Sequence, residues 1–460
     1  MVLDTLDHSR YRAYGRRHID RLAACKNLST EQVIALKAAS AVFPFRVNDY
    51  VLHELIDWDD IPNDPIFQLV FPQAGMLDRR DFLRLQDAVI GGAEESDREA
   101  LVNDIRRRMN PNPAGQKLLN VPSVAGETVL GCQHKYRETV LFFPVQGQTC
   151  HAFCTYCFRW PQFVGDKDLR FAALRTDVLV KYLAERDDVS DVLITGGDPM
   201  VMTAKLLRRV IDPLLEPELE HLQSIRIGSK SLAYWPYRFL TDGDADDVLR
   251  LFEQVVSSGR QLAFMAHFSH PRELETAATA RAIARIRSTG AVIRCQTPLV
   301  RHINDDSEAL AELWRRQVNL GAVPYYVFVA RDTGPRHYFQ VPLARGLRIF
   351  SRAYSEVTGL ARTVRGPSMS ATPGKILVDG VATINDENVF VLKVLQGRDP
   401  EWCNRVFFAR FDSQATWLDE LQPAFGGREF FFDSAIRAMH HGRWKPDWSQ
   451  TVDDAEELTA

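Results

Sequence analysis

The chain is poor in cysteine: seven in 460 residues, which is no disulfide framework. It has no apolar run approaching the about 18 residues that a membrane span requires. Neither sign of charge dominates. Lysine and arginine total 56 against 60 acidic residues, and the formal net charge of −4 argues against a broad, non-specific nucleic-acid surface. No internal repeat is present, and no strand is followed by a Rossmann-type glycine fingerprint. The start, MVLDTLDHSRYRAYGRRHID, lacks the apolar core of a signal peptide, so a cytoplasmic protein is expected. What is there is ordinary for a folded protein, 45% hydrophobic and 25% charged, which rules out disorder, collagen and coiled coil for the bulk of the chain. The length exceeds one ordinary domain and suits two or three units or a large α/β barrel with additions.

Residues 1–120 read as a helical region. Ser29-Thr-Glu-Gln32 has capping-box spacing before an apolar-periodic stretch, and Asn48 is placed to cap a second helix. Three prolines break the pattern across 61–72, a further helix is expected through 77–108, and NPNPAGQ (110–116) reads as a linker. From about 138 short apolar runs alternate with helix-like segments. The runs are 138–144, 191–197, 224–229, 261–268, 291–300 and 325–330; the segments include 175–186, 244–258, 272–289 and 306–320. Such alternation predicts a parallel sheet. Six units without a dinucleotide fingerprint predict a full or partial (β/α) barrel, whose chemistry gathers at strand C-terminal ends. After about 376 the pattern turns irregular.

Three of the seven cysteines, Cys150, Cys154 and Cys157, fall within eight residues in C-x3-C-x2-C spacing. Soft thiolates so spaced can bind three irons of a cubane cluster and leave the fourth iron open. Zinc would want a fourth protein ligand, and no second cysteine pair supplies one. About 40 residues on, Thr195-Gly196-Gly197-Asp198-Pro199 follows the second apolar run. Glycines at a strand end let backbone approach a ligand, and Asp198 can accept from an ammonium.

With Tyr156 before the last cysteine, these motifs resemble the radical S-adenosylmethionine (SAM) superfamily. The resemblance narrows to the lysine 2,3-aminomutase family over roughly residues 40–380. It is carried by FPFRVNDY and its continuation to residue 72, HKYRETVLFF (134–143), RIGSK (226–230), AHFSHP (266–271), CQTPLVRHIND (295–305), PYYVF (324–328), the stretch 337–346 and Pro373-Gly374-Lys375. It implies an α/β fold built on a partial (β/α)6-type radical SAM barrel over 135–375, an N-terminal helical region over 1–120 and an irregular extension over 376–460. It implies a 4Fe-4S cluster on Cys150, Cys154 and Cys157, SAM, and pyridoxal 5'-phosphate (PLP) bound through a Schiff base to Lys375. The reaction would exchange an α-amino group with a hydrogen on the β carbon by way of a 5'-deoxyadenosyl radical.

The same resemblance assigns roles residue by residue. Gly196, Gly197 and Asp198 match the element that holds the SAM amino group, and His267 matches a residue near SAM. Gln296 and Lys135 fall where PLP is contacted. Arg159 matches the arginine that clamps the substrate α-carboxylate. The lead-in to Lys375 reads RGPSMSATPGK rather than a run of glycines, so Ser368, Ser370 or Thr372 would hold the PLP phosphate in its own way.

Lysine-specific members use two aspartates for the substrate ε-ammonium; here Arg331 and Arg365 stand at those places, with Asp332 one residue from the first. An amino acid with an acidic side chain is therefore expected as substrate in place of free lysine. Only Cys403 follows Lys375, so no C-terminal zinc site is expected. An electron donor such as flavodoxin or ferredoxin, and assembly as a homo-oligomer, are expected of such an enzyme; nucleic acid and membrane are not expected as partners. Lysine as substrate, and a desaturase, deaminase, dehydratase or epimerase on the same scaffold, remain as alternatives, as does a non-catalytic iron–sulfur protein.

Overall fold

In a computed structural model, the described residues are 10–92, 94–109, 119–124, 126–165 and 171–441. The expected linker at 110–116 and the acidic end of the chain lie outside them. The alternating runs form one eleven-stranded sheet whose strands lie side by side in chain order. They are β1 Cys132–Tyr136, β2 Thr139–Phe142, β3 Asp191–Ile194, β4 Ser224–Ser229, β5 Gln261–His267, β6 Val292–Leu299, β7 Val323–Val329, β8 Arg365–Ser370, β9 Gly374–Ile384, β10 Glu387–Gly397 and β11 Val406–Arg410.

Strands β2 to β8 are parallel. All six runs read from the sequence are among them, and RGPSMS adds a seventh. Six helices make the crossovers: Asp177–Ala184, Ala204–Ile211, Ala245–Ser257, Ala277–Ser288, Ser307–Asn319 and Leu343–Ser355. Sequential strand order with crossovers of one hand puts these helices on one face. Val192, Ile225 and Ile293 are buried beneath them, while their neighbours Asp191, Arg226 and Arg294 are half-buried on the opposite face.

The sheet is not closed, and β1 and β11 are its edges. It curls until its two ends meet through side chains. Lys135 on β1 donates to the Ala371 carbonyl beyond β8. The Lys375 amine, at the start of β9, lies 5.8 Å from the centre of the Tyr136 ring on β1.

The N-terminal region follows its caps. Ser29 and Gln32 bond reciprocally at 3.1 and 2.8 Å ahead of helix Thr30–Val42. Asn48 accepts from the Val51 amide at 3.0 Å, and the turn it caps, Val51–Leu55, is π-helical. The helix expected through 77–108 is two helices, Arg79–Ile90 and Glu95–Met109. Gly91-Gly92 separates them, with Gly92 at a φ of 66° that ends a helix readily. Val42, Phe71 and Phe142 belong to one core, so this region packs directly on the strands.

The segment after 376 is more regular than its sequence suggested. β9 and β10 are each eleven residues long and form a hairpin that extends the main sheet. Its turn, Asn385-Asp386, has φ of 49° and 65°, the left-handed pair that closes a two-residue hairpin.

Candidate active site

The cysteine loop, 150–157, leaves the C-terminal end of β2 and is gripped by the N-terminal region. Arg46 donates to Thr149 Oγ1 at 2.9 Å and to the Cys150 carbonyl at 3.2 Å. Asn48 donates to the His151 carbonyl at 3.2 Å. The Thr155 amide donates to the Leu69 carbonyl at 2.9 Å.

From the other side, the Gly197 and Asp198 amides both donate to the Gly147 carbonyl at 3.0 Å. A Cβ on Gly197 would stand 2.5 Å from the Thr149 amide nitrogen, and one on Gly196 would strike the Gln148 side chain. These glycines, matched from the sequence to the element that holds the SAM amino group, also admit the lead-in to the chain's own cysteine loop.

All three thiols are sequestered from solvent, and burial raises each of them, Cys157 to about 12. Cys150 is raised further by Asp198 and by the other two cysteines. Three thiolates this close oppose one another unless positive metal charge reverses the balance. Cys154 Sγ lies 3.0 Å from the Tyr234 hydroxyl. Among the described residues no three His, Cys, Asp or Glu side chains converge as metal ligands do. The donor set nonetheless suits a cluster, being three half-buried, unbridged thiols on one loop with a fourth ligand position left over.

Asp198 is buried and bridges two strand ends. Its oxygens accept from the Met200 and Lys230 amides, each at 2.9 Å. Burial pushes its carboxyl up to about 6 against these bonds.

Lys230 and Glu273, which the sequence reading passed over, form a buried ion pair of 2.7 Å. Lys230 also donates to Ser269 Oγ at 3.1 Å, which meets the Tyr156 hydroxyl at 2.9 Å. His267 sits beside Tyr156, with ring centres 6.4 Å apart, and burial holds its imidazole neutral. The available signal was Lys230 inside RIGSK, at a strand's C-terminal end.

Beyond Cys157 the site becomes cationic. Arg159 lies 4.1 Å from the centre of Phe143 and 5.4 Å from that of Phe158; Arg331 lies 5.0 Å from Phe158. Burial lowers both guanidiniums, Arg159 to about 10 with Arg331 adding to the effect. Arg331 Nη1 is buried without a hydrogen-bond partner. Lys135 is buried and lowered, first by burial and then by Arg398, Arg331 and Lys375. Asp332 lines a 590 Å³ cavity with Asp419 and Glu420, and its charge still favours the Arg331 guanidinium.

Lys375 is the second residue of β9, not part of a loop. Its amine donates to Gln396 Oε1 at 2.9 Å and lies 4.2 Å from the centre of Tyr326. Burial, with Arg226 and Arg365, lowers it to about 7. Register places Gln296 between His267 and Tyr326 on neighbouring strands. Arg398 from β10's end orients the turn before Lys375 by donating to the Thr372 carbonyl at 2.7 Å. Ser368 donates to the Val327 carbonyl at 3.3 Å.

Arg365 departs from its expected place. It begins β8, level with Tyr326, whereas Arg331 lies past the end of β7. It is exposed and stacks on Tyr325 and Tyr326 at 4.6 and 4.2 Å. Among the described residues nothing joins it to Arg331, and the guanidinium beside Arg331 is that of Arg159.

No protein-family model matches the chain. A protein of Aquifex aeolicus named "Putative L-lysine 2,3-aminomutase" is 30% identical over 407 residues, covering 88% of this chain and 94% of the relative. The chain belongs to the lysine 2,3-aminomutase family. As a member it is an isomerase, a 2,3-aminomutase. L-lysine 2,3-aminomutase of Fusobacterium nucleatum is 27% identical over 233 residues, 51% of each chain. Glutamate 2,3-aminomutase of Clostridioides difficile is 24% identical over 343 residues, 75% of this chain and 69% of its own. Among the described residues no helix is long and apolar enough to cross a membrane.

Proposed function

We propose that this aminomutase is a radical enzyme. It would use a 4Fe-4S cluster on Cys150, Cys154 and Cys157, SAM at the open iron, and PLP on Lys375. Its substrate would be an amino acid with an acidic side chain, glutamate or aspartate first. When bound, these groups supply the radical and the electron sink for moving nitrogen from Cα to Cβ. The open, curled sheet then serves as a partial (β/α) barrel with its site at the strand C-terminal ends.

The chain's own residues do the remaining work. Lys375, buried and lowered to about 7, holds a free amine at neutral pH, as Schiff-base formation requires. Lys135, lowered by burial and by the charges of Arg398, Arg331 and Lys375, would regain its proton beside a phosphate and so suits one. Arg159 offers its fork to the α-carboxylate. Asp198, whose charge acts on Cys150 and whose oxygens are held by two backbone amides, would accept from the ammonium of SAM. Phe143, fully buried, shields the Arg159 guanidinium stacked on it.

The observation that carries the substrate reading is the pair Arg159 and Arg331, both half-buried against the Phe158 ring, with Arg331 Nη1 lacking a hydrogen-bond partner among the described residues. A substrate ammonium about 4 Å from Arg331 would be opposed by roughly 4 kcal/mol at an effective dielectric near 20. That is about a thousandfold in affinity. A carboxylate reverses the sign.

Anaerobic, reconstituted protein should contain iron, cleave SAM to 5'-deoxyadenosine, and convert glutamate or aspartate to a β-amino acid, read by mass. Stoichiometric zinc without iron would sink the cluster. Turnover of lysine with the acidic amino acids inert would sink the pocket reading. Turnover without a β-amino product would favour a desaturase, deaminase or epimerase.

A further inference from the structure

A cavity of about 680 Å³ lies against the cysteine loop, between that loop and the N-terminal region. Arg16, Arg17, His18, Lys37, Arg46 and Arg98 line it, and no Asp or Glu does. On a chain of net charge −4 such a lining is a marked local excess. Two carboxylates reach the outer cations: Asp20 meets Lys37 at 2.6 Å and Glu95 meets Arg98 at 3.3 Å, both acids being exposed. Arg16, Arg17 and Arg46 form no ion pair among the described residues, and Arg16 feels Arg98, which opposes its charge, more than Glu95, which favours it. Arg16 and Arg17 are exposed to an approaching partner.

The cavity touches the loop at one residue, Phe153, and through Arg46. Arg46 lines the cavity and donates to the Cys150 carbonyl at 3.2 Å. Phe153, between Cys150 and Cys154, lines it too, with the Arg46 guanidinium 5.4 Å from its ring centre. No other cavity described above pairs uncompensated positive charge with the thiol loop.

We propose that this basic groove is the docking surface for an acidic one-electron carrier protein. The inference rests on the iron–sulfur reading above. One electron leaves the carrier's reduced centre, which is oxidised by one equivalent, and enters the cluster, which is reduced by one. The groove brings the carrier's acidic face to the backbone that holds Cys150, so the electron need not cross the barrel. Opposite charges set the encounter rate and orientation of such pairs, and salt screens them.

The test measures 5'-deoxyadenosine formation by the anaerobic full-length enzyme with two reductants, dithionite and photoreduced flavodoxin. The variant is R16E/R17E, which leaves Arg46 and the loop untouched. Expected is a flavodoxin-driven rate about tenfold or more below that of the unaltered enzyme, with the dithionite-driven rate unchanged. The flavodoxin-driven rate of the unaltered enzyme should itself fall steeply as salt is raised.

Equal flavodoxin-driven rates in variant and parent, or no salt dependence in the parent, overturn the proposal. If the variant also loses its dithionite-driven rate, R17Q/R98Q is measured by the same two criteria. Absence of dithionite-driven cleavage in the unaltered protein overturns the iron–sulfur reading, and the docking surface with it.

Discussion

Lys375 and Gln396 are direct partners across the β9–β10 ladder, and the lysine amine donates to the glutamine carbonyl oxygen at 2.9 Å. The C-terminal hairpin thus supplies both the lysine and the group that aims it. With the amine lowered to about 7, the nucleophilic form predominates above that pH. The rate of PLP incorporation, followed by visible absorbance and borohydride trapping, should rise between pH 6 and 8 and then level. An unperturbed lysine would keep gaining towards about pH 10. Gln396→Glu places a carboxylate beside the amine, favours its charged form, and should move the whole profile up by about one pH unit or more. An unchanged profile in that variant would remove Gln396 from the site.

Gly197 is where the Gly-Gly-Asp turn after β3 meets the lead-in to the cysteine loop. Gly197→Ala sets a methyl group against the Thr149 backbone, which has no side-chain end to swing away. Overpacking of this kind costs about 1–3 kcal/mol. The variant should melt at lower temperature and retain less iron after reconstitution, measured by metal analysis. Full iron with unchanged melting would show that the loop yields freely.

Asp332 lines a cavity that Arg331 does not, so their variants should separate. Arg331→Met should raise the KM for an acidic amino acid by about 10- to 100-fold, the worth of a charge-assisted contact. Asp332→Asn should leave that KM within about twofold. The reverse ranking would mean that Asp332 faces the substrate.

The Lys230–Glu273 pair is buried beside Cys154 and Tyr156. Glu273→Gln leaves the ammonium uncompensated and should destabilise by about 3–5 kcal/mol, whereas K230M/E273M should cost less than that single change. Chemical unfolding midpoints of the three proteins decide it. A harmless Glu273→Gln would mean that water reaches the pair.

Much of this was legible because it is local. Periodicity marked the six parallel strands; the Ser29–Gln32 box marked a helix start; cysteine spacing and the residues resembling the aminomutase family marked Cys150, Cys154, Cys157, Asp198 and Lys375 as site candidates. The hairpin at Asn385-Asp386 was legible too, since an Asn-Asp pair between alternating runs signals such a turn, but it passed as irregular chain. The break at Gly91-Gly92 likewise hid inside a charged stretch with helical pattern.

Residue type and spacing along the chain therefore determined the α/β class, the family and which cysteines are the ligand candidates. What those residues meet is a matter of register and curvature, which no local pattern encodes. Sheet curling alone brings Lys135 of β1 to Ala371 beyond β8. Parallel register alone puts Arg365 level with Tyr326 and leaves Arg159 as the companion of Arg331. Positions separated by more than a hundred residues share a site only after the strands between them have paired, and each strand's tilt and stagger depends on all its neighbours.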